Sequence, residues 1–430
     1  MLKLHLAYPV LGCAAILFSH PAFQAQAFTW GPVQSINLPA RTVFANLSAI
    51  DMNGDGNTDI CLSLWTIDST NTVTNFKYIY VGDGLGHFAS TPVMVHESNP
   101  DYGFGTVQFF DVNGDGFPDE VYSYGGFTNS GLSHPGVFAV LLGDGKGNFT
   151  QSTSIPQELS GVSNFVDAPS ILAAGSFRNN GRLDFATVFP DPSNAGHSVL
   201  TVYLNDGGGI FHVGSTLEVT SGAPLNPVTG DFNGDGHLDI AWPDGTAEPG
   251  TGNRFAIHCL NGDGDGTFGA DHICYTLDGP PFGIFSASLN GDPKADLLVY
   301  AGPKVGVKGA QSRVATLLAR QTGGFYWSSS VSLAPGTVNF GSTSINGLPP
   351  LNLEDLNGDG TLDMILGGEV LFAGSANGVF GSRESIAPGN FNPSYFAPLK
   401  KGGLPALFYS TNDNGDFSTK FSWQLNTSPK

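Results

Sequence analysis

Four stretches of the chain carry one nine-residue pattern, Asp-x-Asn-Gly-Asp-Gly-x-x-Asp, at Asp51–Asp59, Asp111–Asp119, Asp231–Asp239 and Asp355–Asp363. Carboxylates at positions 1, 5 and 9 and an amide oxygen at position 3 crowd one short loop. Like charges this close repel unless a cation lies among them. An oxygen-only donor set suits Ca²⁺, which takes about six to eight oxygens at roughly 2.3–2.6 Å. Gly at positions 4 and 6 lets the backbone curl so that alternate side chains and one carbonyl face inward. The candidate ligands are Asp51, Asn53, Asp55, Asn57 and Asp59 in the first loop, and Asp111, Asn113, Asp115, Phe117 and Asp119 in the second. Asp231, Asn233, Asp235, His237 and Asp239 follow in the third copy, and Asp355, Asn357, Asp359, Thr361 and Asp363 in the fourth. About four structural Ca²⁺ sites are expected.

The residues also say which kind of loop this is. An EF-hand needs an acidic bidentate ligand at position 12 and a helix on each side. Position 12 is Leu62, Tyr122, Trp242 or Leu366, and the residues after position 9 run apolar, as strands do. A metal-free Asn-Gly or Asp-Gly turn accounts for one Asp and one Gly. It does not account for three carboxylates at fixed spacing, four times over.

The loops recur along the chain, and recurrence at this length signals a repeat architecture. Weaker copies stand at Ser176–Asp184, with Arg178 at position 3 and no first acid, and at Ser288–Asp296, which keeps Asn290, Asp292 and Asp296. A seventh, Pro398–Ala406, keeps only the Gly-Gly turn and its apolar flanks. In phase with them runs a glycine-rich hairpin ending in Phe88, Phe149, Phe211, Phe268, Phe325 or Phe380. Each unit reads as strand, acidic loop, strand, loop, strand, hairpin, strand. Four strands per repeat make the blade of a β-propeller, with the repeated Phe packed between blades. The last unit stops after its third strand, at Asn426, while Phe28 onward supplies a Phe and a fourth strand. The expected fold is therefore all-β, a seven-bladed β-propeller whose last blade is closed by both termini.

These repeats resemble the FG-GAP/VCBS family, the propeller units of integrin α chains and of secreted bacterial proteins. The Asp-x-Asn-Gly-Asp-Gly-x-x-Asp loops match its calcium motif, and Phe268-Gly269 and Phe380-Gly381 echo its Phe-Gly step. The resemblance covers essentially the whole of residues 28–430. It implies that the loops join the first two strands of each blade and that the metals act as structural staples. It leaves metal at the third, fifth and seventh units in doubt.

Residues 1–27 read as a signal peptide, with Lys3, an apolar run and a small-x-small end at Ala27. Cys13 sits in a faint lipoprotein-type box. No later segment approaches the roughly 20 apolar residues of a membrane span. The expectation is a secreted or cell-surface monomer made of one domain, residues 28–430. Net charge is −20, but much of it lies in the loops, and the 17 Lys and Arg form no basic patch, which argues against a nucleic-acid partner. Cys259 and Cys274 flank a hairpin on neighbouring strands, where either a cross-strand disulfide or two buried thiols fit; Cys61 reads as a small core residue.

No zinc-protease, nucleophile-elbow or phosphate-loop motif occurs. The His residues lack ligand spacing, and His237 is expected at the surface. The leading expectation is a calcium-stabilised binding or adhesion module for an extracellular glycan or protein. Its candidate contacts are aromatics read as loop-borne at 102–104, 124–127 and 325–327. The alternative is a secreted polysaccharide-active enzyme, a lyase or hydrolase, built on the same ring.

Overall fold

The computed structural model describes residues 30–38, 42–67, 73–92, 94–97, 106–124, 127–129, 132–134, 136–157, 173–191, 194, 196–220, 227–247, 254–321, 323–333, 351–355, 360–366, 370–372, 378–381, 383–385, 392–399, 403, 405–412 and 418–427. The expected signal peptide, Cys13, Phe28, the aromatics at 102–104, Asn357 and Asp359 lie outside the described residues.

Among the described residues there is no helix, and strands form seven four-stranded antiparallel sheets plus one two-stranded hairpin. The first sheet runs Thr42–Ile50, Asp59–Ile67, Val73–Tyr80, Met94–Glu97, each strand beside the next. The second repeats this with Thr106–Phe110, Asp119–Tyr124, Gly136–Gly143 and Phe149–Gln157. The third is Ala173–Gly175, Asp184–Pro190, Ser198–Gly207, Ile210–Val219, and the fourth Val228–Gly230, Asp239–Ala247, Phe255–Leu260, His272–Leu277. The fifth is Pro281–Ala287, Asp296–Ala301, Arg313–Ala319, Phe325–Ser332, and the sixth Leu351–Glu354, Asp363–Leu366, Val370–Phe372, Arg383–Ser385. The seventh joins Asn392–Pro398, Pro405–Asn412 and Ser418–Gln424 to Gln34–Asn37 from the other end of the sequence, with Ile36 opposite Phe421.

The core lies between sheets. A half-polar sheet face cannot bury itself, so each sheet stacks on its neighbour and removes apolar side chains from water at about 25 cal/mol per Å². Ile240, Trp242 and Leu260 of the fourth sheet pack with Val188, Leu200 and Val202 of the third. Leu297, Val299 and Leu317 of the fifth pack with Ala241 and Ile257 of the fourth. Ile60, Leu62 and Leu64 of the first pack with Phe408, Phe421 and Trp423 of the seventh.

The hairpin Phe of each unit is part of these seams. Phe88 meets Trp423 edge-on at 5.1 Å, Phe211 meets Phe138 at 5.5 Å, Phe268 meets Phe177 at 5.2 Å and Phe325 meets Phe232 at 5.5 Å. Each ring reaches the preceding sheet, so the packing role expected of the repeated Phe holds in these sheets. Edge-to-face pairs of this kind add about 0.5–1.5 kcal/mol beyond area burial.

Polar contacts follow the same order. Lys77 of the first sheet pairs with Glu120 of the second at 2.5 Å, both buried. Asn205 of the third donates to Val112 O, Thr229 of the fourth to Ala174 O, and Ser286 of the fifth to Thr229 O. Ser329 of the fifth donates to Gly378 O beside the sixth, whose first strand touches that of the seventh. Thr58 of the first sheet donates to Pro398 O of the seventh, and Trp423 Nε1 of the seventh to Gly86 O of the first.

Cys259 and Cys274 are joined in a disulfide across the third and fourth strands of the fourth sheet. Cys61 is a buried free thiol, and burial, the largest influence on it, pushes its pKa up to about 12. It is core, as its neighbours in sequence suggest.

Candidate functional site

The acidic loops occupy one structural place. In the first, second, fourth and sixth sheets they connect the first strand to the second, and position 9 opens the second strand opposite the residue before position 1. Ile50 pairs with Asp59, Phe110 with Asp119, Gly230 with Asp239 and Glu354 with Asp363. The two degenerate copies are built in the same register, Gly175 opposite Asp184 and Ala287 opposite Asp296.

Inside the first loop, the Asp51 carboxylate accepts the amides of Gly54, Asp55 and Gly56 at 2.7, 3.1 and 2.8 Å. Asn53 Oδ1 accepts the Asp55 amide, and Asp55 Oδ1 accepts the Asn57 amide. These nested side-chain turns hold the loop where a strand cannot continue. Gly54 and Gly56 have φ of 76° and 86°, a region that costs a side-chain-bearing residue steric strain. The second and fourth sheets repeat the arrangement around Asp111, Asn113 and Asp115 and around Asp231, Asn233 and Asp235. In the sixth, Asp355 Oδ2 accepts the Gly360 amide.

Position 9 does something the motif does not announce. Asp59, Asp119 and Asp239 are fully buried, and each ties two distant backbone segments together. Asp59 Oδ2 accepts the Met52 amide and Oδ1 the Gly82 amide, both at 2.9 Å. Asp119 bridges Val112 and Gly143, Asp239 bridges Phe232 and Gly262, and Asp296 bridges Leu289 and Ala319 in the same way. The second partner is at or beside the end of the third strand, 23 or 24 residues on. Burial pushes Asp59 and Asp239 up to about 6, and the nearby acids Asp55 and Asp51, or Asp235, push the same way against those amide bonds. Asp119 and Asp296 are raised for the same leading reason.

Position 7 packs sideways. A methyl built on Gly145 would lie 2.4 Å from the Phe117 ring, and one on Gly54 of the preceding sheet's loop 3.0 Å from it. His237 sits likewise against Gly264 of its own hairpin, while its Nδ1 meets Asn179 Nδ2 of the third sheet's loop at 2.6 Å. His237, expected at the surface, is half-buried there between two loops. The wedge comes from the neighbouring sheet, which local sequence does not reveal.

Among the described residues no three His, Cys, Asp or Glu side chains stand ready as a metal cage, because the position 1 and 5 carboxylates are turned onto amides. Each of these carboxylates still has a lone pair beyond those bonds, for Asp51 on Oδ2, since its Oδ1 already accepts two amides. The donors are hard oxygens only, and Asp55 and Asp51 add to the burial that raises Asp59. The set therefore fits a hard divalent cation.

Two exposed aromatics stand elsewhere. Tyr326 and Trp327 were expected on a loop but lie on the outer strand of the fifth sheet, directly after buried Phe325. Phe325, Tyr326 and Trp327 pair in unbroken register with Ala319, Leu318 and Leu317, and the strand is the outermost of its sheet, where both rings are exposed. Arg320 and Arg313 lie over the Tyr326 and Trp327 rings at 6.0 and 5.3 Å. Of 124–127, Tyr124 ends a strand and Phe127 begins the short hairpin Phe127–Asn129.

Repeated four-stranded antiparallel sheets, each opened by an acidic loop and stacked face to face, define an all-β repeat protein of the β-propeller kind. A family model for the FG-GAP-like repeat matches residues 51–122 and 177–242, so these two stretches carry FG-GAP-like repeats. No curated protein matches its sequence. Solved structures to which it is similar include BBS1N in complex with ARL6DN, soaked with lead, at 12% identity and TM-score 0.47 over 94% of this chain and 97% of that one. The mercury-soaked form of that complex gives 11% and 0.46, with the same coverage. The exotype rhamnogalacturonan lyase YesX gives 14% and 0.46, over 92% of this chain and 76% of that one. Among the described residues no helix is long and apolar enough to cross a membrane.

Proposed function

We propose that this is an exported, calcium-stabilised seven-bladed propeller that binds an extracellular glycan or protein. The observation that carries the reading is the acidic loop built at one register in four sheets, where in the first loop the acids Asp55 and Asp51 add to the burial that raises Asp59. Ca²⁺ would be held by the side-chain oxygens at positions 1, 3, 5 and 9 and the carbonyl at position 7. When bound, it cancels the repulsion among the acids. The protein's own groups do the rest: position 1 shapes the loop, and position 9 fastens it to the third strand.

Support for the closed ring is the run of contacts from each sheet to the next, together with the pairing of Gln34–Asn37 on Ser418–Gln424. A ring leaves no open sheet edge to aggregate. Support for ligand binding is the exposed Tyr326 and Trp327, since flat rings beside cationic groups suit stacking on sugars or protein side chains. Export rests on the apolar leader at residues 1–27.

Removing Ca²⁺ with EDTA lowers the melting temperature and adding it back restores it, because a ligand that binds only the native state stabilises it. An unchanged melting curve overturns the metal reading. Retention on a glycan and matrix-protein array without turnover supports binding, whereas conversion of polysaccharide by the purified protein supports the enzyme alternative.

A further inference from the structure

The third sheet's loop, Ser176–Asp184, keeps the frame of the acidic loops but holds a guanidinium inside it. Arg178, at position 3, places Nη2 2.7 Å from Asp184 Oδ1 and Nε 3.4 Å from Oδ2, and the same Nη2 donates to Asn205 O at 2.6 Å. Asp184 is fully buried at position 9, and its Oδ1 also accepts the Asn205 amide.

The comparison with the other loops is specific. At position 3 they carry Asn, and Asn53, Asn113, Asn233 and Asn290 each turn Nδ2 onto the acid at position 5. Their position 9 Oδ2 accepts the amide of position 2. In the third loop that amide, from Phe177, donates to Gly175 O instead, and the guanidinium takes the vacated oxygen. The acids at positions 1 and 5 are Ser176 and Asn180, so Asp184 is the only carboxylate of the nine residues, beside two arginines. The backbone turn survives without Gly at position 4, because Asn179 takes φ of 50° and Ser176 Oγ accepts the Gly181 amide. The fifth loop, also degenerate, has no such substitute: Lys294 donates to Arg320 O rather than to the loop's acids.

We propose that Arg178 is a built-in cation, doing covalently in the third loop what Ca²⁺ does in the loops of the first, second, fourth and sixth sheets. A guanidinium stays charged at any working pH and bonds a carboxylate at two points. The third sheet is therefore locked in place whether or not metal is present, and it binds none. The inference rests on the calcium reading of the other loops, and its test separates the two.

Two variants are measured against the wild type by calcium titration calorimetry on metal-stripped protein and by urea unfolding in EDTA and in Ca²⁺. Arg178→Ala lowers the unfolding midpoint by the same amount in both conditions and leaves the number of calcium sites unchanged. The rebuilt loop Ser176→Asp/Arg178→Asn/Asn179→Gly/Asn180→Asp loses stability in EDTA, recovers it in Ca²⁺, and binds one more Ca²⁺ than the wild type. An unchanged midpoint for Arg178→Ala, a lost calcium site in that variant, or no added site in the rebuilt loop overturns the proposal. A wild type that binds no calcium overturns the reading of the other loops, and the Arg178→Ala midpoint in EDTA still decides the clamp.

Discussion

Position 9 and position 1 of one loop are both aspartates, yet they fail differently when removed, and the fourth sheet is the place to see it. Asp239 is fully buried and accepts the amides of Phe232 and Gly262 at 2.9 Å, both buried, and that of Asn233 at 3.2 Å. Asp239→Ala strands two buried donors, at about 1–3 kcal/mol each, so a loss of about 2–6 kcal/mol is expected even with no metal present. Asp231 accepts the exposed amides of Gly234 and Gly236, which water satisfies once the carboxylate is gone. Asp231→Ala should therefore cost about 1 kcal/mol or less in EDTA. Ca²⁺ changes the size of the smaller loss. At one hundred times Kd a lost site removes about 2.7 kcal/mol, so Asp231→Ala becomes costly only with metal. Urea unfolding read by tryptophan fluorescence is the assay, since Trp242 of the same sheet is fully buried. Equal losses for the two variants in EDTA would refute the division into a structural pivot and a metal ligand.

Other outcomes follow from the same geometry. Glu120→Ala leaves the Lys77 ammonium buried without its partner and should cost about 3–5 kcal/mol, whereas Lys77→Met/Glu120→Leu should be near neutral; thermal melts of both variants check this. Reducing the Cys259–Cys274 bridge, which closes a separation of 15 residues, should lower stability by about 3 kcal/mol in urea titrations with and without dithiothreitol. The folded pKa of Asp59 and Asp239, about 6, lies above the carboxylate value of 3.8. The folded state thus takes up protons first. In EDTA these groups should add stability as pH falls from 7 through 6, fully by 3.8, whereas calcium affinity should fall over the same range. Urea midpoints and titration calorimetry at stepped pH measure both.

Much of the fold was legible because its signals are local. Three acids and two glycines within nine residues specify a turn between strands, and a Gly-rich hairpin before a Phe specifies the next one. The misreadings have a common cause. Tyr326 and Trp327 looked like loop residues because they follow Gly323 and Gly324, but the strand begins at Phe325 and is the outermost of its sheet. The partner of His237, Asn179, belongs to another sheet, so local sequence did not reveal it. The same distance in sequence hid the ion pair of Lys77 with Glu120, which bridges separate repeats.

By itself the sequence determined the repeating unit: strand order, the place of the acidic loop and the oxygen-only chemistry it offers, all set by residue types and spacing over short range. Only the tertiary structure decided what each residue of that unit does. It gave position 9 to the third strand, position 7 to the neighbouring loop, Arg178 to Asp184 and the strand Gln34–Asn37 to the last sheet. Those assignments depend on which backbone donors and apolar surfaces meet after the sheets stack, and no stretch of nine residues contains its own neighbours.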